Sequence, residues 1–142
     1  MARVMICDDD RETAERLAAA LRAAGHEAQT CRHTMDVLRS AAAGSFDLVA
    51  LGLDMVGFGR AGAVEALREI APRVPVIALH ERPVELMRAA AQHGFAAVLP
   101  RSVEAKSFLY AVAVALSADS KPRARGRGKA NGPAPVLKTN VG

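Results

Sequence analysis

Five short, mainly apolar runs, alternating with segments of helical spacing, constrain the fold of this chain more than any other feature of its sequence. The runs comprise residues 4–7, 28–31, 47–51, 76–79 and 97–99. Such a run is typical of a strand that is buried on both faces of a parallel sheet. Because the segments between the runs have helical spacing, we predict a doubly wound α/β fold with a five-stranded parallel sheet, (βα)5.

Start and stop signals place the predicted helices between these strands. Gly25 and Gly44 stand where the first and second helices should end. The second helix is expected to begin at Thr34, the fourth at Pro83 and the fifth at Ser102. The third helix is expected to end near residue 70, and the fifth near residue 116.

The charge of the chain is divided unevenly. The net formal charge of the 142 residues is +4, yet residues 1–116 hold thirteen basic and fourteen acidic side chains. Basic residues, Pro and Gly dominate the segment after residue 118, which has no apolar period. We therefore expect one globular domain over residues 1–118 and a disordered basic tail over residues 119–142.

The chain has no long apolar stretch and no leader-like start. Its longest uncharged, mainly apolar stretch, residues 108–118, is far shorter than a membrane span. We therefore expect a cytoplasmic protein that makes no membrane contact. Cys7 and Cys31 lie in strand-like runs, where a pair of cysteines in an intracellular protein is usually reduced and structural.

Functional groups in a doubly wound fold collect beyond the carboxyl ends of the strands. Three consecutive aspartates follow the first predicted strand. One further candidate lies at or just beyond the end of each of the third, fourth and fifth predicted strands. These candidate site residues are Asp8, Asp9, Asp10, Gly52, His80 and Arg101.

The segment from Val4 to Asp10 resembles the opening strand and acidic pair of response-regulator receiver domains. Residues 46–51 resemble the third strand of that family, and residues 94–99 resemble its turn into the fifth strand. The resemblance extends over about residues 2–118 and implies a CheY-like fold. It also implies a role in two-component, phosphorelay signalling through protein–protein interaction, without enzymatic activity.

In the family, an aspartate at the end of the third strand accepts phosphate from a histidine kinase. The resemblance places Gly52 at this position, and glycine has no carboxylate to form an acyl phosphate or to bind a metal ion. We therefore expect a degenerate pseudo-receiver that signals independently of phosphorylation. The alternative is an active single-domain response regulator that is phosphorylated at Asp54.

Two further positions of the family's switch are also substituted. A small hydroxyl residue is replaced by His80, whose imidazole is expected to fill the pocket, and a lysine is replaced by Arg101. Arg101 is expected to reach Asp8 or Asp9 and to take the place of a cation. Two interpretations of the aspartates stay open: a weak Mg²⁺ site at Asp8 and Asp9, or a solvated cluster that caps the first helix. No other cofactor is expected.

The resemblance also implies that the surface formed by the fourth helix, the fifth strand and the fifth helix binds a protein partner, which could be a second copy of the chain. Apolar and basic side chains are mixed on this predicted surface, as in moderate protein interfaces. Its predicted members are Val84, Met87, Arg88, Val103, Lys106, Ser107 and Tyr110.

The tail carries five cations on alternate residues, without an aromatic residue for base stacking. They are Lys121, Arg123, Arg125, Arg127 and Lys129. Such a segment could bind polyanions, including nucleic acid, without sequence preference, which would make the chain a polyanion-binding accessory protein. The other interpretation is that it only solubilises or tethers the domain.

Overall fold

A computed structural model of the chain describes residues 1–53, 63–81 and 94–118. Its strands are β1 (Arg3–Cys7), β2 (Glu27–Cys31), β3 (Leu48–Gly52), β4 (Val76–His80) and β5 (Ala97–Pro100). Within the described ranges its helices are α1 (Arg11–Ala23), α2 (Thr34–Ala42), α3 (Ala63–Ile70) and α4 (Ala105–Ser117). Each strand boundary lies within one residue of its predicted position. The helix predicted from Pro83 lies outside the described residues.

The five strands form one parallel sheet in the order β2-β1-β3-β4-β5. The predicted five-stranded parallel sheet of a doubly wound α/β fold is therefore confirmed. Because all strands run in the same direction, their carboxyl ends meet at one edge of the sheet. No helix within the described ranges is long and apolar enough to cross a membrane.

Alternate side chains of the central strands fill two core layers, one on each face of the sheet. On one face, Val4 and Ile6 pack in a cluster with residues of α1 and α4 such as Leu17 and Phe108. On the other face, side chains including Met5 and Cys7 pack in a cluster with residues of α2 and α3, listed here as Val37, Ala41, Val64 and Leu67. Burial on both faces explains why these strands are continuously apolar.

The predicted helix ends are correct for the first two helices but the predicted start of the last helix is wrong. Gly25 and Gly44 have φ angles of +93° and +70°, a conformation that glycine adopts without strain. The last helix begins at Ala105 with Glu104 as its N-cap, rather than at Ser102. The reason is a turn in which the Val103 backbone N–H donates to the carbonyl of Pro100 at 3.0 Å.

Candidate functional site

The carboxyl edge of the sheet brings four of the predicted site residues onto neighbouring strands. Asp8 directly follows β1, Gly52 and His80 end β3 and β4, and Arg101 directly follows β5. The Arg101 backbone N–H donates to the carbonyl of His80 at 3.2 Å, which holds the start of the last loop against β4. Side chains at these positions can therefore meet across the edge.

Asp8 is the most deeply buried member of this group. Its exposed fraction is 0%, which is rare for a carboxylate and requires compensating contacts. Its Oδ1 accepts hydrogen bonds from the Asp10 backbone N–H at 2.9 Å and from the Arg101 guanidinium at 2.6 Å. Its Oδ2 is buried and has no hydrogen-bond partner within the described part of the chain.

The Arg101 guanidinium lies against all three aspartates. Its Nη2 atom is 2.6 Å from Asp8 Oδ1, 3.6 Å from Asp9 Oδ1 and 4.0 Å from Asp10 Oδ2. The side chains of Asp9 and Asp10 are about half exposed, so water screens their attraction more than that of Asp8. The ion pair expected between Arg101 and the aspartates is thus present in the structure, with Asp8 as its main partner.

A second arginine holds the loop that carries Arg101. Arg16, on α1, donates from Nη1 to the carbonyl of Val103 at 2.7 Å and from Nη2 to the carbonyl of Arg101 at 2.8 Å. The planar guanidinium forms both bonds at once, which fixes the backbone of the loop relative to α1. Arg101 is therefore constrained through its backbone as well as through its ion pair.

The absence of a side chain at Gly52 leaves space that the Asp8 carboxylate uses. A Cβ atom built at Gly52 would lie 2.5 Å from Asp8 Oδ2 and 2.8 Å from Asp8 Cγ, well inside van der Waals contact. The three heavy atoms nearest to this Cβ position all belong to Asp8, and the expectation that His80 fills the pocket stays a prediction. Glycine at position 52, which has no Cβ atom, leaves the Asp8 carboxylate in this orientation.

Burial and hydrogen bonding shift the pKa values of two aspartates in opposite directions. Burial raises the pKa of Asp8 above its ordinary value, and the Asp10 N–H and the Arg101 guanidinium offset only part of this effect. The Thr13 hydroxyl donates to the Asp10 carboxylate at the start of α1 and lowers the pKa of Asp10. Asp10 is the N-cap residue of α1 but its side chain forms no capping hydrogen bond, so the helix-capping interpretation stays a prediction.

Comparison with known proteins identifies the family to which this fold and this acidic edge belong. The family model described as the response regulator receiver domain matches residues 4–113. The chain belongs to the response regulator receiver family. It is therefore the receiver domain of a two-component response regulator, and receiver domains interact with other proteins.

Individual relatives agree with this assignment. A response regulator receiver protein of Anaeromyxobacter sp. (strain Fw109-5) is 32% identical over 110 residues, which are 77% of this chain and 46% of the relative. The chain thus spans less than half of the length of that protein.

The solved structures show the same fold. A CheY-like receiver domain protein from Methanospirillum hungatei JF-1 has a TM-score of 0.74 at 17% identity, covering 82% of this chain and 94% of that chain. A receiver domain protein from Clostridium thermocellum has a TM-score of 0.71 at 21% identity, covering 82% and 95%.

The acidic edge of this receiver does not suit the Mg²⁺ ion that the family implies. A hard cation needs several oxygen ligands at one point, and the Arg101 guanidinium already lies at that point between the aspartates. Gly52 contributes no carboxylate, and the described residues contain no group of three or more His, Cys, Asp or Glu arranged to hold a metal ion. The predicted weak Mg²⁺ site at Asp8 and Asp9 therefore lacks support from this geometry.

The predicted partner surface is only partly exposed. Lys106, Ser107 and Tyr110 lie on the exposed side of α4, and Tyr110 is 73% exposed. Val103 was expected on this surface but is buried in the core layer that also holds Phe108. The turn before α4 directs the Val103 side chain inward, so it does not lie on an exposed helix face.

Several predicted functional residues lie outside the described residues, and their roles stay predictions. They are Asp54, Val84, Met87, Arg88 and the five cations of the tail, Lys121 to Lys129.

Two features of the site could not be anticipated from the sequence. Arg16 has the same residue type and spacing as any exposed helical arginine, so nothing in the sequence distinguished its contact with the last loop. The sequence predicts that Cys7 and Cys31 are reduced and structural, and the strand register adds that they are direct neighbours. The available signal was that each is the last residue of its predicted strand.

Proposed function

We propose that this receiver domain signals independently of phosphorylation, without enzymatic activity, by binding another protein through a surface that includes α4. The observation that carries the proposal is the position of the Asp8 carboxylate, which lies where a side chain at Gly52 would begin. A degenerate receiver of this kind has lost the phosphate acceptor and has filled its place.

The chemistry of residue 52 supports the first part of the proposal. Phosphotransfer to a receiver requires a nucleophilic carboxylate at the end of the third strand, and Gly52 ends β3. Asp8 is not a substitute acceptor in this arrangement, because its Oδ1 is held by Arg101 and its Oδ2 is buried. Attack on an incoming phosphoryl group would require Asp8 to leave these contacts.

The contacts of Arg101 support a domain that is held in one state. Its guanidinium neutralises Asp8, and Arg16 fixes its backbone carbonyl. A metal ion and a phosphoryl group enter and leave a site, whereas these two arginines are covalently part of the chain. The loop after β5 is thus restrained from both β1 and α1.

We expect acetyl phosphate or beryllofluoride with Mg²⁺ to leave this protein unchanged. No stoichiometric acyl phosphate should be detected by intact mass, and the backbone amide resonances should not shift, because Gly52 offers no carboxylate. A receiver domain with an aspartate at this position serves as the positive control for both reagents.

The same experiment distinguishes the alternative acceptor. A phosphorylated species that is present in the parent and lost in Asp54→Asn would contradict the proposal and establish an active receiver. A phosphorylated species that persists in Asp54→Asn but is lost in Asp8→Asn would contradict it equally, since it would show that Asp8 leaves its ion pair.

The exposed side of α4 supports the second part of the proposal. Tyr110 and Val114 are one helical turn apart and are 73% and 49% exposed. Helix α4 contains no acidic residue, and Lys106 is its only charged side chain. A helix surface with few charges and an exposed aromatic side chain is typical of the centre of a protein interface.

We expect Tyr110→Ala to weaken capture of the protein partner from a lysate of the native host by about tenfold or more, the range for an aromatic hot-spot residue. The melting temperature should not change, because Tyr110 is largely exposed. Met35→Ala is the matched control, since Met35 is 60% exposed on α2, away from this surface. Equal capture by all three proteins would place the interface elsewhere.

A further inference from the structure

Cys7 and Cys31 form a pair of thiols at the carboxyl ends of β1 and β2. They are opposite each other in the parallel register, and they are the two cysteines of the chain. Both are free thiols. Both also pack in the core layer between the sheet and α2. The two sulfurs therefore share one face of the sheet.

This geometry suits a disulfide bond. Neighbouring strands lie about 4.8 Å apart, and disulfide-bonded residues usually have Cα atoms about 4.4–6.8 Å apart. Each cysteine is the last residue of its strand, so only the ends of the two strands need to adjust. No movement of helices or exchange of partners is required.

The two thiols differ in access and reactivity. Cys31 is partly exposed, whereas Cys7 is fully buried and its Sγ lies 3.7 Å from the carbonyl oxygen of His33. Interaction with the Cys7 thiol lowers the pKa of Cys31, and the same interaction together with burial raises the pKa of Cys7. Cys31 is thus the thiol that a soluble reagent meets first, and Cys7 is the adjacent thiol that resolves the product.

We propose that Cys7 and Cys31 are a reversible oxidation site that forms an intramolecular disulfide by exchange with a small-molecule disulfide. The Cys31 thiolate attacks one sulfur of the reagent; its S–S bond breaks, a bond to Cys31 forms, and one small thiolate leaves. Cys7 then attacks the Cys31 sulfur; the bond between Cys31 and the small molecule breaks, and the departing small thiolate takes the Cys7 proton. The protein loses two electrons and two protons, and the reagent is reduced to two thiols.

Oxidation at this pair acts directly on the acidic edge. Asp8 follows Cys7 in the chain, and its backbone N–H donates to the carbonyl of Cys31 at 3.1 Å. Drawing the two sulfurs together shifts both backbones that position the Asp8 carboxylate. The ion pair between Asp8 and Arg101 thus becomes sensitive to the oxidation state of the cysteines, and this holds whether or not the domain is also phosphorylated.

The test uses the full chain, treated with glutathione buffers of increasing oxidised fraction. We expect the native protein to lose both titratable thiols together and to lose two hydrogen atoms by intact mass, with full recovery in excess dithiothreitol. The amide resonances of Asp8 and Arg101 should shift on oxidation, whereas those of residues on the other side of the sheet, such as Val114 on α4, should not.

Two variants and three contrary results make the outcome decisive. Cys7→Ala should stop at a mixed disulfide between Cys31 and glutathione, and Cys31→Ala should keep Cys7 reduced because it is buried. The native chain alone suffices if either variant does not fold. Accumulation of a mixed disulfide on native Cys31, a disulfide-linked dimer, or two thiols that stay reduced in the most oxidising buffer would each overturn the proposal.

Discussion

Gly52→Ala is expected to destabilise the fold by about 1–3 kcal/mol, the usual cost of forcing extra atoms into a packed site. The new Cβ would lie 2.5 Å from Asp8 Oδ2, so Asp8 must rotate away. In its present orientation the Asp8 carboxylate places Oδ1 2.6 Å from Arg101 Nη2, so this rotation also weakens the ion pair. Urea denaturation of the parent and the variant, followed by circular dichroism, measures the difference in the free energy of unfolding.

A double-mutant cycle assigns this cost to Asp8. In the Asp8→Ala background the two atoms nearest to the new Cβ are gone, and the Cβ of residue 8 remains at 3.3 Å. Gly52→Ala should then become neutral or slightly stabilising, since alanine restricts the unfolded chain more than glycine does. A penalty of the same size in both backgrounds would show that another group fills the space over Gly52, with His80 as the next candidate.

The strands of this receiver could be predicted from the sequence because burial on both faces requires mainly apolar residues. A strand covered on both faces has no polar alternation, so runs such as 47–51 and 76–79 are short and apolar, and each ends within one residue of its predicted boundary. The positions of Gly25 and Gly44 could be predicted for a similar reason, since the left-handed conformation at a helix end favours one residue type.

The acidic edge was only partly predictable, because it depends on contacts between distant segments. The resemblance to receiver domains places Arg101 at the position of the family's lysine, and this was enough to anticipate its ion pair with Asp8. The sequence held no equivalent signal for the Asp8 carboxylate over Gly52, since this depends on a side-chain rotation within the folded site. Ser102 was mistaken for a helix cap because the hydrogen bonds that hold its loop come from Arg16, more than eighty residues away.

Arg101→Ala is expected to have the largest effect on stability, a loss of about 3–5 kcal/mol at neutral pH, the usual cost of removing one partner of a buried ion pair. Asp8 has a side chain that is 1% exposed, and without the guanidinium its charge is compensated mainly by the Asp10 N–H. The matched control is Arg3→Ala, which removes an exposed ion pair of 3.3 Å to Glu27 and should cost no more than about 1 kcal/mol.

The cost of Arg101→Ala should decrease as the pH falls. Burial already raises the pKa of Asp8 above its ordinary value of 3.8, and removal of Arg101 raises it further. An acid whose pKa is higher in the folded state than in the unfolded state destabilises the fold above the folded pKa, and protonation relieves this as the pH falls towards the unfolded value. Denaturation at several pH values between neutral and 4 should therefore show the free energy of unfolding of the variant approaching that of the parent.

Two further comparisons decide whether the guanidinium acts as a substitute cation. In an Asp8→Asn background, Arg101→Ala should cost much less, because no buried charge is left uncompensated. In the native background, millimolar Mg²⁺ should raise the melting temperature of Arg101→Ala more than that of the parent, since removal of the guanidinium leaves the aspartates open to a hard cation that binds the folded state. If Arg101→Ala costs no more than Arg3→Ala, shows no pH dependence and responds to Mg²⁺ as the parent does, Arg101 does not hold this site in one state.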